Sequence, residues 1–167
     1  MSRSRVPVRS LLIALALVGV SDVRAQASGT GGKVTVRLTE EMWKKFAVAA
    51  KDISSAIRSD SGVYAALSQP IANDDPAEVD RHVASEATVL EGIPKLKSAL
   101  DRAGISAKEY VAFAMGFGIA YYTDSVTKGG TLPAPEGLQS ASVDRASMAL
   151  ARAHTKEMQS IFGAPGQ

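Results

Sequence analysis

Residues 110–122 read Tyr-Val-Ala-Phe-Ala-Met-Gly-Phe-Gly-Ile-Ala-Tyr-Tyr and carry no charge. Apolar or small side chains fill three helical turns, so the stretch offers water no polar face. A helix hydrophobic all round belongs in a core or a membrane. A bilayer span needs about 20 apolar residues, and runs of about 10–14 have the length of a core helix. The flanks mark helix ends. Ser106-Ala-Lys-Glu109 has the spacing of a capping box, in which the serine hydroxyl and the glutamate carboxylate each accept a backbone N–H that the helix leaves over. Lys128 followed by Gly129-Gly130 is a stop signal. The spacing predicts one buried helix over about 107–127, with the chain packed around it.

The ends of the chain read differently. Arg3, Arg5 and Arg9 precede an apolar run from Leu11 to Val20, and Val23-Arg24-Ala25 follows with small or medium residues at its first and last positions. This is the pattern of a cleaved secretory signal, with the cut expected after Ala25 or after Ala27. The first 25 residues hold four arginines and one aspartate, so 15 basic and 16 acidic residues remain. The mature chain is near −1, which leaves no electrostatic footprint for nucleic acid. With no cysteine, disulfides, thiol catalysis and thiolate metal sites are excluded. An exported chain of this kind rests on packing alone, and 142 residues suffice for one real core.

The remaining pattern is helical. Residues 26–38 form a flexible or extended leader; Lys33 to Leu38 alternates like a strand but shows no partner, and a lone strand is unstable. Thr39 is an N-cap before Glu40 and Glu41, with Leu38 and Trp43 spaced as a hydrophobic staple. Met42, Trp43, Phe46, Ala49, Ala50, Ile53 and Ile57 then follow a helical period up to Ser59. Val63 to Leu67 suits a short helical turn. Asp75-Pro-Ala-Glu78 opens a helix lined by Val79, Val83, Ala87 and Leu90, and Gly92-Ile-Pro94 divides it from a helix carrying Ile93, Leu96, Leu100 and Ala103. After a Pro/Gly connection, the last helix is expected from Ser140 or Ser142, with Val143, Ala146, Leu150, Ala153, Met158, Ile161 and Phe162 inward. The class is all-α: a small antiparallel bundle of four to five helices over 39–163, around the central apolar helix.

Chemistry is sparse. No nucleophile elbow, zinc-protease motif or phosphate loop occurs, and no acid–base pair stands out. Tyr110, Tyr121 and Tyr122, with Gly116 and Gly118 between them, are the candidate lining for a small apolar ligand; Tyr64 is a further tyrosine of the same kind. Glycine in a helix costs about 1 kcal/mol against alanine, so two of them imply close packing or a ligand against the backbone. Glu78, His82 and Glu86 stand four apart, one imidazole and two carboxylates on one helix edge that could meet a divalent metal. His154 lies on the line of Leu150, Met158 and Phe162, and an up-down topology brings the last helix to the start of the first. Met42 with His154 thus resembles the ligand pair of the periplasmic b-type cytochrome bundle, which implies non-covalent haem. The connecting segments and the glycine-rich central helix depart from that family.

These features favour an exported, periplasmic or secreted binding module of the cell envelope, without a cofactor, that takes a small apolar molecule or a protein partner. A haem or metal carrier is the alternative, and an enzyme of another class comes third.

Overall fold

The computed structural model describes residues 35–69, 79–129 and 142–163. The expected signal segment 1–25, the start of the expected leader, the expected cap at Asp75 and the connection over 130–137 lie outside the described residues. The protein is all-α. Six helices are described: α1 (Glu40–Ser59), α2 (Ser61–Leu67), α3 (Val79–Gly92), α4 (Pro94–Ala103), α5 (Ala107–Thr127) and α6 (Arg145–Phe162). No helix among the described residues is long and apolar enough to cross a membrane.

α5 packs against α1, α3, α4 and α6, which is why it can lack a polar face. It runs over the span that the capping and stop signals define. Ser106 caps it: its Oγ accepts the Glu109 N–H at 3.2 Å, and a Glu109 carboxylate oxygen accepts the Ser106 N–H at 2.9 Å. Those bonds to Ser106 hold the Glu109 carboxyl below its ordinary value. Gly104, at φ +64°, ends α4 in the left-handed conformation that glycine adopts without strain.

Short caps set the other boundaries. The Thr39 Oγ1 accepts the Met42 N–H at 3.2 Å and starts α1. Asp60 closes α1 and opens α2, accepting N–H bonds from Gly62 and Val63. At α6 the N-cap is Asp144, whose carboxylate accepts the Ser147 N–H at 2.7 Å. The helix therefore starts after the two serines that the sequence suggested, because an aspartate two residues past Ser142 accepts the N–H three residues on.

Two expectations are corrected. The leader is not wholly without a partner: a two-residue segment, β1 (Thr35–Val36), pairs in parallel with β2 (Ser142–Val143), Thr35 opposite Ser142 and Val36 opposite Val143. The contact is anchored beside the ladder, where the Leu38 N–H donates to the Ser147 Oγ at 2.8 Å. In α6, Ala146 and Ala153 are exposed, while Ser147 and Ala151 are fully buried. The larger residues expected inward, Leu150, Met158 and Ile161, are buried, so the difference is confined to the small residues, with Ser147 facing the leader backbone.

The core is aromatic where α1, α5 and α6 meet. Trp43 lies against Phe46, Phe113 and Phe117 with ring centroids 5.9, 6.2 and 5.6 Å apart, and Phe46 stacks on Tyr110 at 4.8 Å. At the far end of α1, Ser54 Oγ and Arg58 donate to the Ile161 carbonyl at 2.7 and 3.2 Å. Those side chains satisfy a carbonyl that the last turn of α6 leaves without a helical partner.

Candidate functional site

The burial of α5 is uneven. Tyr110, Phe113, Met115, Gly116, Phe117, Ile119 and Ala120 are buried. Ala114, Gly118, Tyr122 and Ser125 are only half-buried, and Tyr121 is 37% exposed. These five recur at intervals of three and four residues, so they share one side of the helix. Up to Ala120 the only incompletely covered positions after the capped start are Ala114 and Gly118, on one side; beyond it Tyr121, Tyr122, Thr123 and Ser125 are all partly open, and Tyr121, Tyr122 and Ser125 continue that side. Val126, 41% exposed, lies just past it.

The five residues expected to line a pocket divide accordingly. Tyr110 and Gly116 belong to the core; Tyr110 is stacked on Phe46, and burial pushes its phenol well above the usual tyrosine range. Gly118, Tyr121 and Tyr122 lie on the half-covered side. Tyr110 and Tyr121 are about 16 Å apart along the axis at 1.5 Å per residue, so they do not form one compact lining. Tyr64 is exposed on α2.

One edge of this side ends in charge. The Asp124 side chain, 12% exposed, accepts Lys128 Nζ at 2.6 Å from the next turn of α5 and pairs with the Arg152 guanidinium from α6. The hydrogen bond from Arg152, then that from Lys128, lowers the Asp124 carboxyl from 3.8 to about 2. Two cations thus share one carboxylate, and both remain more than half exposed. The sequence pointed to Lys128 as a helix stop. The i, i+4 spacing of Asp124 and Lys128 was the legible signal; Arg152 was not, because only the packing of α6 on α5 brings it there.

The second cluster forms around His154. Its ring stacks on Trp43 at 4.4 Å between centroids. Nε2 lies 3.1 Å from a Glu40 carboxylate oxygen and Nδ1 lies 3.7 Å from Glu157. Glu157 is itself held by Lys51 at 2.9 Å, which lowers its carboxyl. His154 does reach the first turn of α1, where Met42 is half-buried against the core. The imidazole meets Glu40 and the Trp43 face there, and both ring nitrogens look toward carboxylates.

The third candidate lies on α3. His82 is 2% exposed, among the residues of α3 that turn inward with Val83, and Glu86 is half-buried. The expected edge position for His82 is thus corrected to an inward one. Glu78 lies outside the described residues. Among the described residues, no group of three or more His, Asp or Glu side chains could hold a metal ion.

Comparison of the chain with protein-family models, curated proteins and solved structures finds no significant match.

Proposed function

We propose that this chain is an exported helical bundle that acts as a binding module of the cell envelope, and that the half-covered side of α5 receives a small apolar molecule. One observation carries the reading: a helix without charge from Val111 to Thr123 leaves Ala114, Gly118, Tyr121, Tyr122 and Ser125 short of full burial. Exposed apolar side chains scattered singly need no explanation, whereas a continuous apolar line is what ligand grooves and docking faces share. Gly118 supports it, because glycine at a helical site exposes backbone that a flat or extended molecule can approach. The signal-like segment, Arg3 to Ala25, supplies the export part of the reading.

The test is binding of N-phenyl-1-naphthylamine, an uncharged apolar fluorophore, to the chain recovered from the envelope. Saturable, one-to-one fluorescence enhancement is expected, and Gly118→Leu, which puts a bulky side chain on that line, is expected to abolish it while the helix content stays unchanged. Enhancement that persists in Gly118→Leu places binding elsewhere. No enhancement in the parent chain removes the reading. N-terminal sequencing of the same material checks the export part, with the first residue expected to follow Ala25 or Ala27.

A further inference from the structure

We infer that the molecule taken by the α5 face is an anionic single-chain amphiphile, a long-chain carboxylate, whose head meets Lys128 and Arg152. This rests on the reading above, since it names the occupant of the same face. Charge complementarity selects this occupant. From Val111 to Thr123 the helix has no ionised side chain. Its acids are Glu109 and Asp124. Glu109 lies at the far end and is engaged by Ser106. Asp124 is shared by Lys128 and Arg152, a cluster with two cations to one carboxylate among the described residues. Both cations keep more than half of their side-chain surface in water, so a further carboxylate can reach them without displacing Asp124.

The dimensions agree. Ala114 to Lys128 spans about 21 Å of helix axis, which is the reach of a long acyl chain with its head at one end. Gly118 and Ala114 give the chain a low floor, and Tyr121 and Tyr122 flank it with rings whose hydroxyls tolerate water. One effect opposes the head: the C-terminus of α5 carries about half a negative charge from the aligned peptides. The excess cation outweighs it, but only in part. The head group therefore adds a modest preference on top of apolar burial, and that preference is sensitive to salt.

The experiment is competition against bound N-phenyl-1-naphthylamine by oleate and by its uncharged methyl ester, each below its aggregation threshold. Oleate is expected to displace the fluorophore at about fivefold lower concentration, the factor that an exposed ion pair of about 1 kcal/mol supplies. Lys128→Gln is expected to bring oleate to the level of the ester and leave the ester unchanged. Lys51→Gln, which removes a cation paired with Glu157 on α6, is expected to change neither. Equal displacement by oleate and ester in the parent chain overturns the inference and leaves the apolar face standing. Loss of the preference in Lys51→Gln also overturns it, because the effect then reports overall charge. If the fluorophore itself does not bind, both readings fall together.

Discussion

Asp124 is the residue whose surroundings most change its chemistry. It bridges two elements with a charge that water partly screens, and its carboxyl sits at about 2 against an ordinary 3.8. A carboxyl lowered on folding stabilises the folded state above its unfolded value, and the contribution fades as pH falls toward the folded value. The bridge is therefore fully present above about pH 4 and lost as pH drops toward 2. Asp124→Asn is expected to lower the urea midpoint at pH 7, and the gap from the parent chain is expected to narrow steadily below pH 4. A gap of constant size down to pH 2 would show that the carboxylate charge contributes nothing. Ser147 is the neutral counterpart. It is fully buried and its hydroxyl accepts the Leu38 N–H. Ser147→Ala removes that acceptor, and a buried donor deprived of its acceptor costs about 1–3 kcal/mol. Chemical denaturation at neutral pH is expected to show a loss in that range with an unchanged slope.

At the scale of the element, α5 joins a clear sequence signal to an ambiguous one. Its ends were legible because capping chemistry is local: Ser106 and Glu109 need only each other, and both bonds form as the spacing requires. Its sides were not, because a helix with apolar residues at every position has no phase to read. The two glycines separate the sides experimentally. Gly118 lies on the half-covered line, so Gly118→Ala is expected to stabilise the protein by up to about 1 kcal/mol through helix propensity. Gly116 is buried, and Gly116→Leu forces a large side chain into packed surroundings, at a cost of about 1–3 kcal/mol. Thermal melts of the two variants are expected to move in opposite directions; the same direction for both would mean that the sides of α5 do not differ. The same reasoning explains α6. Leu150, Met158 and Ile161 made its inward face legible, whereas alanines at 146, 151 and 153 carry too little hydrophobicity to show which of them turns in.

At the scale of the molecule, the helices were legible from local period and caps, and their contacts were not. Nothing in the sequence couples Leu38 to Ser147 or Asp124 to Arg152, and the expected topology put His154 near the start of α1 without naming Glu40 as its partner; each pair is brought together by how α6 lies against its neighbours. The two-residue parallel ladder was missed for the same reason, since β2 is too short to show alternation. The aromatic core makes these long-range contacts one unit. Trp43, the one tryptophan in the chain, touches rings from α1, α5 and α6. Its emission therefore reports on all three helices at once, while far-ultraviolet dichroism reports on helix content wherever it lies. If the core is common property, no helix can leave without exposing Trp43, and the two signals share one urea midpoint, the mark of two-state unfolding. Trp43→Ala then removes the shared ring at about 3–5 kcal/mol, a large part of the roughly 5–15 kcal/mol that a domain of this size has. It is expected to lower the dichroism midpoint of the whole protein rather than that of α1 alone. A dichroism change that begins well before the Trp43 signal in the parent chain would show instead that some helices open separately, as cooperative units of lower stability do. The face on α5 would then rest on a smaller core, made of the aromatic rings alone.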